Sequence, residues 1–122
     1  MRTCQLKAFL ITKEKIQPFH SRLTMIQHSV IFTLKHTSDS IQAQNFWDAA
    51  KKLAEIPGVQ NFECLKQTNP TNKFGYGLAM KFENQLLYDG YSNHPQHVEF
   101  IKKFWMNDVE DFLEIDYEEF GG

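Results

Sequence analysis

The chain has 122 residues, with 13 basic and 15 acidic side chains, a formal net charge of −2 and 14% aromatic residues. This length fits one domain that can bury a core without staples, and the near balance of charge offers no basic field for nucleic acid. The two cysteines, Cys4 and Cys64, have no metal-ligand spacing, which argues against a disulfide framework or a thiolate metal site and fits a reducing, cytoplasmic setting.

Residues 1–24 carry a basic start, but their longest apolar run, Ala8 to Ile11, ends at Thr12-Lys13-Glu14-Lys15. That run is too short for a signal-peptide core or a membrane span, so no membrane partner is expected. Residues 1–24 read as an N-terminal extension, ordered or a disordered tail, and residues 25–120 as the domain.

From Ile26 the chain alternates. Ile26, His28, Val30, Phe32 and Leu34 share one face, the pattern of a half-buried strand. Asp39, answered by Gln42, predicts a capping box for a helix carrying Ala43, Phe46, Trp47, Ala50, Leu53 and Ala54, which Ile56-Pro57-Gly58 stops. A second strand is expected over 59–65 and a polar loop over 67–73. In a third strand from Phe74, Tyr76, Leu78, Met80 and Phe82 oppose the nearly bare Gly75, Gly77 and Ala79. Leu86-Leu87-Tyr88 suggests a short helical turn. Pro95 then opens a longer helix with Val98, Phe100, Ile101, Phe104 and Trp105, and a last strand is expected over 109–117.

The resulting β-α-β-β-α-β order predicts an α+β, ferredoxin-like fold: a four-stranded antiparallel sheet with two helices on one face. The other face is expected to carry Ile31, Ala79 and Phe112 among Ser29, Thr33, Lys81 and Glu114. A mixed face of that kind is often covered by a second copy, which predicts a homodimer.

The candidate chemistry lies in Tyr91-Ser-Asn-His94-Pro-Gln-His97 and in His28, whose imidazole interrupts an apolar alternation. Histidine titrates nearest neutrality, so such a cluster suits acid/base work or a polar ligand. His28 reads either as a pocket residue or as a hydrogen-bonded core residue, and Tyr91 either as a hydroxyl donor or as a packing ring. His94 reads first as a helix cap, and Tyr76 as a packing residue with a possible place in the pocket. The acidic end, Glu114, Asp116, Glu118 and Glu119, reads as a solvated edge.

Five segments in order carry a family resemblance: His28-Ser-Val-Ile-Phe-Thr-Leu34, Ile56-Pro-Gly-Val59, Gly77-Leu-Ala-Met-Lys-Phe82, the Tyr91 to Phe100 stretch, and Asp111-Phe-Leu-Glu-Ile-Asp116-Tyr117. Over roughly residues 25 to 118 the chain resembles the stress-responsive α/β barrel (Dabb) domain family. The resemblance implies a dimeric α/β barrel closed by two four-stranded sheets, with helices outside. That family includes plant proteins linked to stress tolerance and olivetolic acid cyclase, which closes a polyketide ring without a cofactor. It implies that His28, Tyr91 and His97 occupy positions that line the cyclase's pocket. The chain departs from the cyclase at Ala49, where a tyrosine would stand.

Two classes of function follow. One is a dimeric protein holding a small apolar or aromatic ligand in a His/Tyr pocket. The other is a cofactor-independent enzyme, polyketide cyclase-like or monooxygenase-like, with His97 as base and His28 or Tyr91 donating to the developing oxyanion. The catalytic candidates are therefore His97, His28 and Tyr91. The ligand-binding candidates are these three with His94 and Tyr76, and neither a metal nor a cofactor is expected.

Overall fold

The computed structural model describes residues 24–121, so residues 1–23 of the N-terminal extension, with Cys4 and His20, lie outside the described residues. Strand β1 (Ile26–Leu34) leads to helix α1 (Ile41–Lys51), which tightens into a 3₁₀ turn over Lys52–Glu55. Strands β2 (Gln60–Lys66) and β3 (Tyr76–Phe82) follow, then α2 (Gln85–Asn93) and α3 (Pro95–Phe100). A π-helical turn (Ile101–Trp105) and one short turn (Met106–Asp108) extend α3 into β4 (Val109–Tyr117). The sheet is antiparallel in the order β2-β3-β1-β4, which is the ferredoxin-like arrangement.

Burial along β1 follows its sequence alternation without a break: Ile26, His28, Val30, Phe32 and Leu34 are buried and the residues between them are not. The helices cover this face. Phe32 has no exposed surface, and its ring lies 5.6 Å from Phe46 and 5.0 Å from Trp105. The π turn widens the helix so that Phe100, Ile101 and Trp105 all reach the core. Trp105 Nε1 is buried without a hydrogen-bond partner among the described residues, inside a ring of aromatic neighbours.

Three local expectations are corrected. The cap of α1 is Ser40, whose hydroxyl accepts from the Ala43 amide at 3.1 Å, while Asp39 accepts from the Thr37 hydroxyl at 3.0 Å. Asp39 is thus engaged one residue too early to serve the helix, and Gln42 does not answer it. Ala54 is exposed, because the 3₁₀ turn changes the helical phase after Lys51. The short turn around Leu87 is a full helix that Asn84 caps, accepting from the Leu87 amide at 2.9 Å, and it carries Tyr91 as well as Tyr88.

The fourth correction concerns β4. Its register on β1 sets Phe112 opposite Phe32, Glu114 opposite Val30 and Asp116 opposite His28, after a shift between Thr33 and Leu34. Directly opposed residues share a face, so Phe112, Glu114 and Asp116 point toward the helices. The Phe112 ring meets Trp105 edge-on at 5.4 Å. The helix-free face instead receives Leu113, Ile115 and Tyr117, beside Ile31, Ala79 and Leu65. Of these, Leu65, Leu113 and Tyr117 are 44%, 49% and 51% exposed.

Two stability outcomes follow from these contacts. Ser40→Ala is expected to cost about 1 kcal/mol in urea unfolding and Asp39→Ala clearly less, since only the serine satisfies a helix amide. Phe32→Ala, which empties the centre of the aromatic core, is expected to cost about 4 kcal/mol by the same measurement.

Candidate functional site

His28 enters the core because it occupies an inward position of β1, between Ile26 and Val30. An unpaired imidazole there would be costly, and β4 and α2 supply its partners. Asp116, directly across the ladder, places Oδ1 2.6 Å from His28 Nδ1. Tyr88 of α2 places its hydroxyl 2.9 Å from the same nitrogen and donates to Asp116 Oδ2 at 2.9 Å. The phenol has one proton, which goes to the carboxylate. His28 Nδ1–H therefore faces two acceptors, Asp116 Oδ1 and the Tyr88 oxygen.

Tyr91 follows Tyr88 by three residues and lies on the same face of α2. Its ring is 6.2 Å from His28 and 4.6 Å from His97, so it stands between the two imidazoles. His97 is placed by the α2–α3 junction. His94, restricted to extended backbone by Pro95, ends α2, and the end of a helix leaves carbonyls without intrahelical donors. His97 Nδ1 donates to one of them, the Ser92 carbonyl, at 3.0 Å. His28, Tyr91 and His97 are each only 3% exposed.

Burial pushes the His97 pKa down to about 4, against the opposing bond to the Ser92 carbonyl, and the positive charge that His28 and His94 can carry adds to the lowering. The ring is thus neutral near pH 7. With Nδ1–H committed to a carbonyl, which only accepts, His97 Nε2 is a lone pair in that neutral ring. Among the described residues, the side-chain hydrogen bonds of both rings run through Nδ1.

The other expected site residues lie elsewhere. His94 caps α3, its Nδ1 accepting from the Gln96 amide at 3.1 Å. Tyr76 pairs with Phe32, four residues along β1 from His28, and packs edge-on against Trp47 at 5.3 Å. Sequence reasoning missed Tyr88 and Asp116. Tyr88 carried a usable signal, its i, i+3 spacing to Tyr91, whereas Asp116 becomes visible only once the β4 register is known. Among the described residues no three His, Cys, Asp or Glu side chains group as a metal site, and no helix is long and apolar enough to cross a membrane.

Away from the histidines, a groove of about 390 Å³ runs between α1 and α3. Ala49, Leu53, Phe100 and Phe104 give it an apolar floor, and charged side chains such as Lys52 and Glu99 stand at its rim. Ala49 therefore borders open space on the outer side of the helix layer.

The lowered His97 pKa makes stability depend on pH. A group that folds neutral contributes fully above its unfolded pKa near 6.5 and progressively less as pH falls toward 4, a loss of about 3 kcal/mol over that interval. His97→Asn, which keeps a donor for the Ser92 carbonyl but cannot titrate, is expected to flatten the wild-type decline between pH 6.5 and 4 in urea-unfolding measurements. An unchanged slope would show that His97 does not fold in the neutral state.

Comparison with known proteins places the fold. Residues 26–119 match the family model described as the stress responsive A/B barrel domain. A Dabb family protein with a ferredoxin-like fold from Mesorhizobium loti is 45% identical, superposes with a TM-score of 0.77, and the match covers 80% of this chain and 99% of that one. A dimeric protein of unknown function and ferredoxin-like fold from Bacteroides fragilis is 24% identical, with a TM-score of 0.60 over 78% of this chain and 96% of that one. The hydroxynitrile lyase from Passiflora edulis, 16% identical, shares the fold with a TM-score of 0.69 over 82% of this chain and 97% of that chain. Among curated proteins none matches. With its family model spanning all four strands and the helices between them, the chain belongs to the stress responsive A/B barrel domain family.

Proposed function

We propose that this protein acts as a homodimer that binds a small, largely apolar or aromatic ligand at the cluster of His28, Tyr91 and His97. The observation that carries the reading is that two almost fully buried imidazoles, each anchored through Nδ1, stand on either side of one tyrosine ring. Apolar walls with a few fixed polar atoms are the common composition of a small-molecule site.

The dimer is supported by the helix-free sheet face, where Ile31, Leu65, Leu113, Ile115 and Tyr117 form a partly exposed apolar surface. Exposed patches of this kind mark interaction surfaces, and a self-complementary two-fold contact covers one with a single patch. Two similar solved proteins, from Bacteroides fragilis and Thermobifida fusca, are described as dimeric.

A second reading, cofactor-independent acid/base catalysis, is favoured by one specific feature, the anchoring of His28 by Asp116 and Tyr88. A base oriented by a third group is the general pattern of an activated histidine. In this reading His28 Nε2 takes a proton from carbon beside a carbonyl, and Asp116 stabilises the imidazolium that forms. His97, the base expected from the sequence, is a weak base because burial lowers its pKa to about 4, and in this reading it serves as a neutral acceptor.

Two measurements test the proposal. Sedimentation equilibrium is expected to give twice the chain mass of 14.3 kDa, and Leu113→Asp, which sets a charge on the helix-free face, is expected to shift the population toward monomer. A monomeric wild-type protein at micromolar concentration would exclude the dimer. For the ligand site, imidazole NMR signals of His28 and His97 are expected to move when small aromatics at millimolar concentration are added. Signals that ignore every compound would make the cluster a packing feature.

A further inference from the structure

Away from the histidine cluster, the described residues leave an apolar groove uncovered, the one of about 390 Å³ between α1 and α3. Ala49, Leu53, Phe100 and Phe104 form its floor, and Ala49, ending at a methyl group, leaves space above it. Its walls are tied together, since the Gln96 side chain donates across it to the Lys52 carbonyl at 3.2 Å. Asp48 stands on the α1 wall and Glu99 on the α3 wall, the latter paired with Lys103 at 2.7 Å. A preformed apolar groove with charged rims fits the side chains of one short peptide segment that is apolar in the middle and charged at its flanks.

The chain carries such a segment. Residues 1–23 contain the apolar run Ala8-Phe9-Leu10-Ile11, flanked by Lys7 and Lys13, and they hold five basic side chains against one acidic one. Residues 24–122 hold eight basic and fourteen acidic side chains, so extension and domain carry opposite net charges, +4 and −6. Reach is ample as well. β1 starts at Ile26, which pairs with Phe82 at the end of β3, and the end of α1 and the start of α3 lie toward that same end of the sheet, joined by the bond from Gln96 to Lys52. Residues 12–23 span up to about 40 Å when extended, against roughly 20 Å from a sheet to the outer side of the helices packed on it.

We propose that residues 8–11 of the N-terminal extension dock in the groove between α1 and α3 of their own chain, with Phe9 and Leu10 over the apolar floor and Lys7 and Lys13 beside Asp48 and Glu99. The family match begins at Ile26, so this contact involves a part of the chain that lies outside the shared domain. Tethering favours the chain's own segment over a free partner, because a linked segment meets its groove at an effective concentration on the order of millimolar. The extension then acts as a strap that covers the outer side of the helix layer.

The test uses the full chain of 122 residues, ¹⁵N-labelled, with Cys64→Ser so that a nitroxide spin label attaches only at Cys4. The oxidised label is expected to weaken the amide signals of Ala49, Leu53 and Phe100 and to leave those of Leu113 and Ile115, on the helix-free face, at full intensity. Losses centred on the helix-free face, spread evenly over the domain, or absent would overturn the proposal. Phe9→Asp combined with Leu10→Asp, outside the folded domain, is expected to restore the groove signals, and losses that persist in that variant would show that the apolar run is not the occupant. A sample that mixes a spin-labelled, unenriched chain with a ¹⁵N-labelled chain lacking the nitroxide is expected to show no loss in the groove. A loss there would assign the groove to the extension of a second copy and contradict docking within one chain.

Discussion

An imidazole placed inside an apolar sheet–helix interface has to be held there by other polar groups, and this requirement organises the end of the domain around His28. A histidine at an inward position of β1 loses its water, and the loss is tolerable only if Nδ1 meets an acceptor. Two elements converge to supply it: β4 in a register that sets Asp116 opposite His28, and α2 in a phase that aims the Tyr88 hydroxyl at both of them. The helix-free face follows from the same register. Once Asp116 points inward, alternation sends Leu113, Ile115 and Tyr117 outward, so the polar network in the core and the apolar patch outside it come from one pairing.

The second imidazole solves the same problem with a different partner, and the difference separates their chemistry. His28 leans on a carboxylate and a phenol oxygen. His97 leans on a neutral carbonyl at the end of α2 and is buried beside Tyr91, so its protonated form is held at a disadvantage. Two histidines a few side chains apart thus receive distinct surroundings, one against a carboxylate and one against a backbone carbonyl. The loop chemistry that makes this possible is local: Pro95 stops α2, His94 caps α3, and His97 falls one helical turn later, within reach of Ser92.

Much of this was legible in the sequence. The uninterrupted alternation of β1, the breaker at Ile56-Pro57-Gly58 and Pro95 at the head of α3 each carry a short-range signal, and together they specify the element order and the inward direction of His28. The family segments pointed to the same fold and to His28, Tyr91 and His97 as a group, whereas His94 and Tyr76, also counted among the ligand-binding candidates, lie apart from it. What stayed hidden depends on long-range pairing. Phe112 and Glu114 were assigned to the wrong face because Leu113 and Ile115 look more like core than Glu114 and Asp116 do, and only a partner strand decides which set faces inward. Asp116 looked like part of a solvated acidic end for the same reason. Tyr88 was read as belonging to a short turn because Gly90 and Ser92 are weak helix formers, and tertiary packing overrides their preference.

The central claim is that His28, Asp116 and Tyr88 form one coupled unit rather than three neighbours, and a double-mutant cycle tests it most directly. Urea unfolding of His28→Phe, Asp116→Asn and the double variant at pH 7 gives the coupling between ring and carboxylate. A coupling of about 1 kcal/mol or more, with the double variant less destabilised than the sum of the single ones, is the predicted result for partners that leave each other unmet when one is removed. Single-variant effects that add to within about 0.3 kcal/mol would contradict it, and would reduce the contact between β1 and β4 at this position to proximity.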